Sequence, residues 1–245
     1  MSQSPTKDRH RAVLATLPTT EWDDYLDANS GLPGPRGNLE LLEVVGDIAS
    51  PQYLRSCAAS LDEYRAAVGA AGLGRLATEG DTTVLGLLHE LAQDPRWRVR
   101  EGVAMALQRI GDADRSQLHQ ITETWAGGPP LVQRAAVAGE CEPRLLDTGA
   151  DAAHALGLVD RVTASLVELP PSRRREDDVR VLRKALGYCW SVATAAAPDE
   201  GFAALERWAG VADADVAWVL RENVRKARLT RADAARTAHL AARLG

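Results

Sequence analysis

A chain of 245 residues is long enough to bury about three-quarters of its unfolded surface, and 45% hydrophobic with 26% charged residues excludes a disordered polypeptide. A net charge of −5 at pH 7 and a pI near 5.6 give no overall attraction to nucleic acid or to an anionic membrane. No run approaches the roughly 20 apolar residues that span a bilayer, and three scattered cysteines, Cys57, Cys141 and Cys189, form neither a disulfide framework nor a cysteine zinc site.

Aromatic residues make up only 4% of the chain, with a single Phe, so the core is expected from Ala, Leu and Val, a palette that favours helices. The polar start of the chain does not read as a signal peptide; the expectation is a reduced, cytoplasmic, soluble protein without a cofactor. Residues 1–37 read as a polar N-terminal segment ending in a Gly/Pro loop, NSGLPGPRGN over 29–38, that packs on the first helix pair. Asn38 is a good N-cap for a helix carrying Leu39, Leu42 and Val45 on one face. Pro51 then opens a second helix running towards Tyr64, and the glycines from Gly69 to Gly80 read as a separator.

A second helix pair comes next. Val84, Leu87, Leu88 and Leu91 form one stripe, broken at Asp94-Pro95. Val99, Val103, Ala106 and Ile110 form another, expected to stop at Gly111. The third pair carries Leu118, Ile121 and Trp125, then a GGPP break and a helix from Leu131 through Val137. The fourth runs from about Ala152 to Leu169 and from Asp178 to Ala197, with Val179, Leu182, Leu186, Cys189 and Ala193 facing inward. The fifth spans Phe202 to Leu229, and residues 231–245 read as a C-terminal capping helix. No stretch reads as a strand.

The pairs resemble one another. DPRWRVREGV (94–103) and DVAWVLRENV (215–224) match without a gap at Asp94/Asp215, Trp97/Trp218, Arg100/Arg221, Glu101/Glu222 and Val103/Val224. Five matches in ten positions point to an internal repeat. A two-helix unit cannot bury its apolar face alone and stacking such units does, so residues 38–230 are expected to form an all-α, right-handed α-solenoid of about five helix pairs.

QDPRWRVREGVAMALQRIGD (93–112) resembles a HEAT repeat, and the resemblance extends over most of 38–230. Three shorter stretches, TWAGGPPLVQRAAV (124–137), RKALGY (183–188) and AWVLRE (217–222), are similar to AlkD-like DNA alkylation-repair glycosylases. The first resemblance implies a non-enzymatic binding or scaffold protein whose concave face, lined by second helices, holds a protein or nucleic-acid partner. It also implies a structural ladder involving Asp94, Arg100 and Asp215, with Arg134 and Arg221 as further members. The second implies a glycosylase acting on alkylated bases in duplex DNA. Trp97 and Trp218 would then be aromatic contacts for a cationic base, and Glu101, one turn from Trp97, would stabilise charge developing on the sugar. Arg134, Arg183, Lys184, Tyr188, Arg221 and Arg225 would hold phosphates or the base.

Other chemistry is not signalled. The histidines at 10, 89, 119, 154 and 239 lack paired-ligand spacing, so no metal site is expected, and no phosphate-binding or nucleophile-elbow motif occurs. Charge is uneven: residues 1–95 carry a net −7, residues 96–220 a net −3 and the last 25 a net +5. The basic end reads as a solvated helix or as a local polyanion site. The acidic start gives a third reading, a surface that docks a basic protein.

Overall fold

The computed structural model describes residues 4–245, and the regular elements among them are all helices. Residues 1–3 of the N-terminal segment lie outside the described residues. None of the described helices is long and apolar enough to cross a membrane. The chain divides into two compact units, one ending at Ala113 and the other beginning at Asp114. That boundary falls inside the 38–230 stretch.

The first unit holds α1 (Pro5–Thr16), α2 (Trp22–Asn29), α3 (Leu39–Ile48), α4 (Pro51–Ala58), α5 (Glu63–Thr78), α6 (Val84–Leu91) and α7 (Trp97–Ala113). Asn38 caps α3 as expected, its side-chain oxygen accepting the Leu41 N–H at 3.0 Å. Ser50 caps α4 and Asp62 caps α5 in the same way. The N-terminal segment is more ordered than its polarity suggests. His10 of α1 meets the Tyr25 hydroxyl of α2 at 2.8 Å, and Arg65 of α5 pairs with Asp23 and Asp27 at 2.8 and 2.9 Å. The Gly/Pro loop is tied down by Asn38 N–H to Ser30 O at 2.8 Å and by Arg98 to Gly34 O at 3.0 Å.

Two expectations about glycine fail. Gly69, Gly72 and Gly74 do not separate helix pairs but lie within α5, and of this stretch only Gly80, at a φ of 98°, sits in the turn after it. Gly111 does not stop its helix either, since α7 continues to Ala113. Glycine breaks a helix when exposed, but where two backbones approach closely it is the only residue that fits. A Cβ on Gly74 would lie 2.6 Å from the Cα of Ala106, and one on Gly102 would lie 2.6 Å from Ala67 O. α5 and α7 therefore pack backbone to backbone, and α5 is buried along most of its length.

The second unit holds α8 (Arg115–Trp125), α9 (Pro130–Glu140), α10 (Gly149–Glu168), α11 (Asp177–Ala196), α12 (Pro198–Trp208), α13 (Ala214–Val224), α14 (Ala227–Ala232) and α15 (Ala234–Leu244). The inward stripe of α11 is as the periodicity requires: Val179, Leu182, Leu186, Cys189 and Ala193 are all buried. Trp190 is also fully buried and satisfies its indole N–H on the Thr163 hydroxyl of α10 at 2.9 Å. Asn223 of α13 reaches into α11. Its Oδ1 accepts the Ser191 N–H at 2.7 Å, and its Nδ2 donates to Leu186 O at 2.9 Å and Val219 O at 2.8 Å.

Candidate functional site

Repeat positions that coincide in sequence do not occupy equivalent places in their helices. Trp97 opens α7, whereas Trp218 lies a full turn into α13. Trp97 keeps 50% of its surface exposed, with the Arg98 guanidinium 4.7 Å from its ring centre. Arg98 is itself held by Glu63 at 2.9 Å. Trp218 packs on α11, where a Cβ on Gly187 would meet the indole at 3.1 Å, and Arg183 covers its ring at 4.7 Å. Trp97 is open to a ligand; Trp218 closes a helix join.

The charged positions sort in the same way. Arg100 is buried and donates to the carbonyls of Asp94 and Pro95 at 2.5 and 2.9 Å, bracing the turn before α7. The Asp94 carboxylate is taken by Arg96 at 2.6 Å. Burial alone raises the pKa of Asp94, but its hydrogen bonds from Arg96 outweigh that and hold it below the ordinary value. Asp215 pairs with Arg183 at 2.5 Å, joining α13 to α11. Arg134 is only 9% exposed, and Arg221 turns to Leu244 O at 3.4 Å. Glu101 lies partly exposed on α7.

Lys184 and Arg225 are exposed, the latter with 70% of its side chain in solvent although Glu222 lies 2.8 Å away. One turn after Lys184, Tyr188 of α11 is 43% exposed. Arg228 of α14 lies 4.5 Å over its ring and donates to its hydroxyl at 2.7 Å. Arg228 and Arg231 also border a cleft of about 390 Å³ with apolar walls from Leu146, Val192, Ala195 and Ala196. Sequence reasoning passes over both arginines, because the basic end of the chain reads only as a run of charge until α14 is folded against α11.

A second constellation also escapes the sequence. His119 of α8, Glu140 at the end of α9 and His154 of α10 converge, and one potential ligand atom from each lies within 4.8 Å of the others. His119 Nε2 is 3.1 Å from Glu140 Oε1 and 3.4 Å from Asp151 Oδ1. His154 Nε2 is 3.9 Å from Glu140 Oε2, and the imidazoles stack with centroids 3.9 Å apart. Glu140 is fully buried, and burial pushes its carboxyl up to about 7, against the hydrogen bond from Thr122. The three residues are too far apart in sequence for a local motif. The available signal is the spacing within each helix: His119 and Thr122 share a face of α8, as Asp151 and His154 share a face of α10.

No protein-family model, curated protein or solved structure matches this chain.

Proposed function

We propose that this chain is a non-enzymatic helical-repeat binding protein, a HEAT-like α-solenoid whose second helices present the partner-binding face. The observation that carries this reading is the exposed, arginine-stacked Tyr188 beside an apolar cleft bordered by Arg228 and Arg231. Exposed aromatics with arginines are the composition of energetic centres in protein interfaces. The occupant that suits this chemistry is an acidic peptide segment with an apolar side chain. The side chain enters between Leu146 and Val192, and the carboxylates meet Lys184, Arg225, Arg228 and Arg231. Duplex DNA suits it less well, because a phosphate backbone has nothing to place against apolar walls and Arg134 and Arg183 are already committed.

The test is fluorescence anisotropy with a labelled acidic-apolar peptide and with labelled duplex DNA, at about 50 and about 200 mM salt. Peptide binding lost in Tyr188→Ala and in Arg228→Ala supports the reading. Tight DNA binding whose salt slope falls by about one unit per arginine removed refutes it in favour of DNA.

One observation favours the AlkD-like glycosylase as a second reading: Trp97 remains half open to solvent with Glu101 one turn along the same helix, as contact with a cationic base would require. N-alkylated duplex DNA tests it. Base release by the wild type that is abolished in Glu101→Gln would establish an enzyme, and no release would leave Trp97 as part of a binding surface.

A further inference from the structure

We propose that His119, Glu140 and His154, with Asp151 as a fourth donor, form a binding site for one divalent transition-metal ion, zinc by the character of its donors. Two imidazoles and two carboxylates are a zinc donor set. Tetrahedral bonds of about 2.0–2.2 Å place neighbouring ligand atoms roughly 3.3–3.5 Å apart. His119 Nε2 already stands 3.1 Å from Glu140 Oε1 and 3.4 Å from Asp151 Oδ1. The remaining adjustment falls on His154, whose ring must turn out of its stack with His119 to bring Nε2 inward from 3.9 Å.

Burial supplies the independent argument. Glu140 has no exposed surface, yet its Oε1 has no hydrogen-bond partner, and neither has the buried Nε2 of His119. The two atoms approach to 3.1 Å without the alignment of a hydrogen bond. Leaving a buried carboxylate oxygen unsatisfied costs stability, and a cation shared by both atoms satisfies them together. The surroundings are those that orient metal ligands. The Thr122 hydroxyl donates to Glu140 Oε2 at 3.0 Å. The other nitrogen of His154 faces Glu123 at 3.7 Å, and Glu123 is held by Arg161 at 2.6 Å. An ion here clamps α8, α9 and α10 together, a site separate from the partner surface proposed above.

The experiment strips full-length protein with chelator, then titrates it with Zn2+ by calorimetry and with Co2+ by visible absorbance. The expected result is one equivalent bound, with the absorbance of four-coordinate cobalt and a raised Tm. Removing a ligand should weaken uptake by at least the roughly 10–100-fold that the loss of a supporting contact costs. The variants are Glu140→Gln, and His119→Gln with His154→Gln should the buried position fail to fold by circular dichroism; exposed His239→Gln is the control. Absence of saturable one-to-one uptake by the folded wild type overturns the proposal, as does undiminished uptake by the folded double-histidine variant.

Discussion

Changing Gly74 to alanine adds one methyl group to α5, where it would lie 2.6 Å from both the Cα and the carbonyl oxygen of Ala106. Ordinary contact begins near 3.4 Å, so α5 and α7 must part locally by about 0.8 Å. The obstructing atoms are helix backbone and cannot rotate aside. Overpacking of this kind costs about 1–3 kcal/mol, and parting the seam forfeits a quarter to a half of the dispersion attraction across it. Taking the upper end, less the roughly 1 kcal/mol by which alanine outdoes glycine in a helix, leaves a destabilisation of about 2 kcal/mol. For a chain of this size that lowers Tm by about 4–8 °C. The same substitution at Gly157 of α10, where an added Cβ meets nothing within 4 Å, should raise stability by about 0.5–1 kcal/mol. Scanning calorimetry and urea titration read both, and the effects should appear in different transitions if the two units unfold separately. A Gly74→Ala protein as stable as the wild type would refute the close approach of α5 and α7.

Three further outcomes are expected. Asn223→Ala removes the bridge between α13 and α11 and should cost about 2–3 kcal/mol in urea unfolding, whereas Arg225→Ala at the exposed end of α13 should change stability by less than about 0.5 kcal/mol. In metal-free protein Glu140 favours the fold most when protonated, because its folded value of about 7 stands above its ordinary 4.5. Its contribution is therefore complete below about pH 4.5 and lost as pH rises through 7, so the wild type should lose about 3 kcal/mol relative to Glu140→Gln across that window. His154, whose pKa is lowered by burial, acts in the opposite direction. Finally, all three cysteines are buried, and burial raises Cys57 to about 11. None should react with a disulfide reagent at pH 8 until urea unfolds the chain; prompt labelling of the native protein would contradict that packing.

Helical class and many boundaries are legible in the sequence because they depend on local chemistry. The stripe on α11 and the Asn38 cap need only spacing and a side chain that reaches its own backbone. Gly69, Gly72 and Gly74 mislead for a physical reason: glycine carries the same letter whether it ends a helix or admits another one, and only the neighbouring backbone decides. α1 escapes notice because its apolar face is narrow, with His10 and Leu14 as its buried residues. Among the site residues, Trp97 and Tyr188 stand out as aromatics on helix faces, and both are exposed. Arg183 reads as a free cation, but Asp215, 32 residues away, holds it. Spacing within α8 and α10 puts His119 and His154 each on a face with a polar neighbour, but they join Glu140 only through the packing of three helices.

Under the proposed peptide binding, the stacking of Arg228 on Tyr188 would make the protein its own competitor. The guanidinium that borders the cleft is already engaged with a π-face and a hydroxyl, so an anion that draws it away forfeits that engagement. At an exposed ring a cation stack contributes about 0.5–1 kcal/mol, equivalent to a two- to fivefold reduction in affinity. In exchange, the Arg228 guanidinium is held beside the cleft before any ligand arrives. On that reading the pair exchanges a little strength for a preplaced cation, and Tyr188→Phe, which retains the ring but removes the hydroxyl anchor, would shift that balance towards tighter binding.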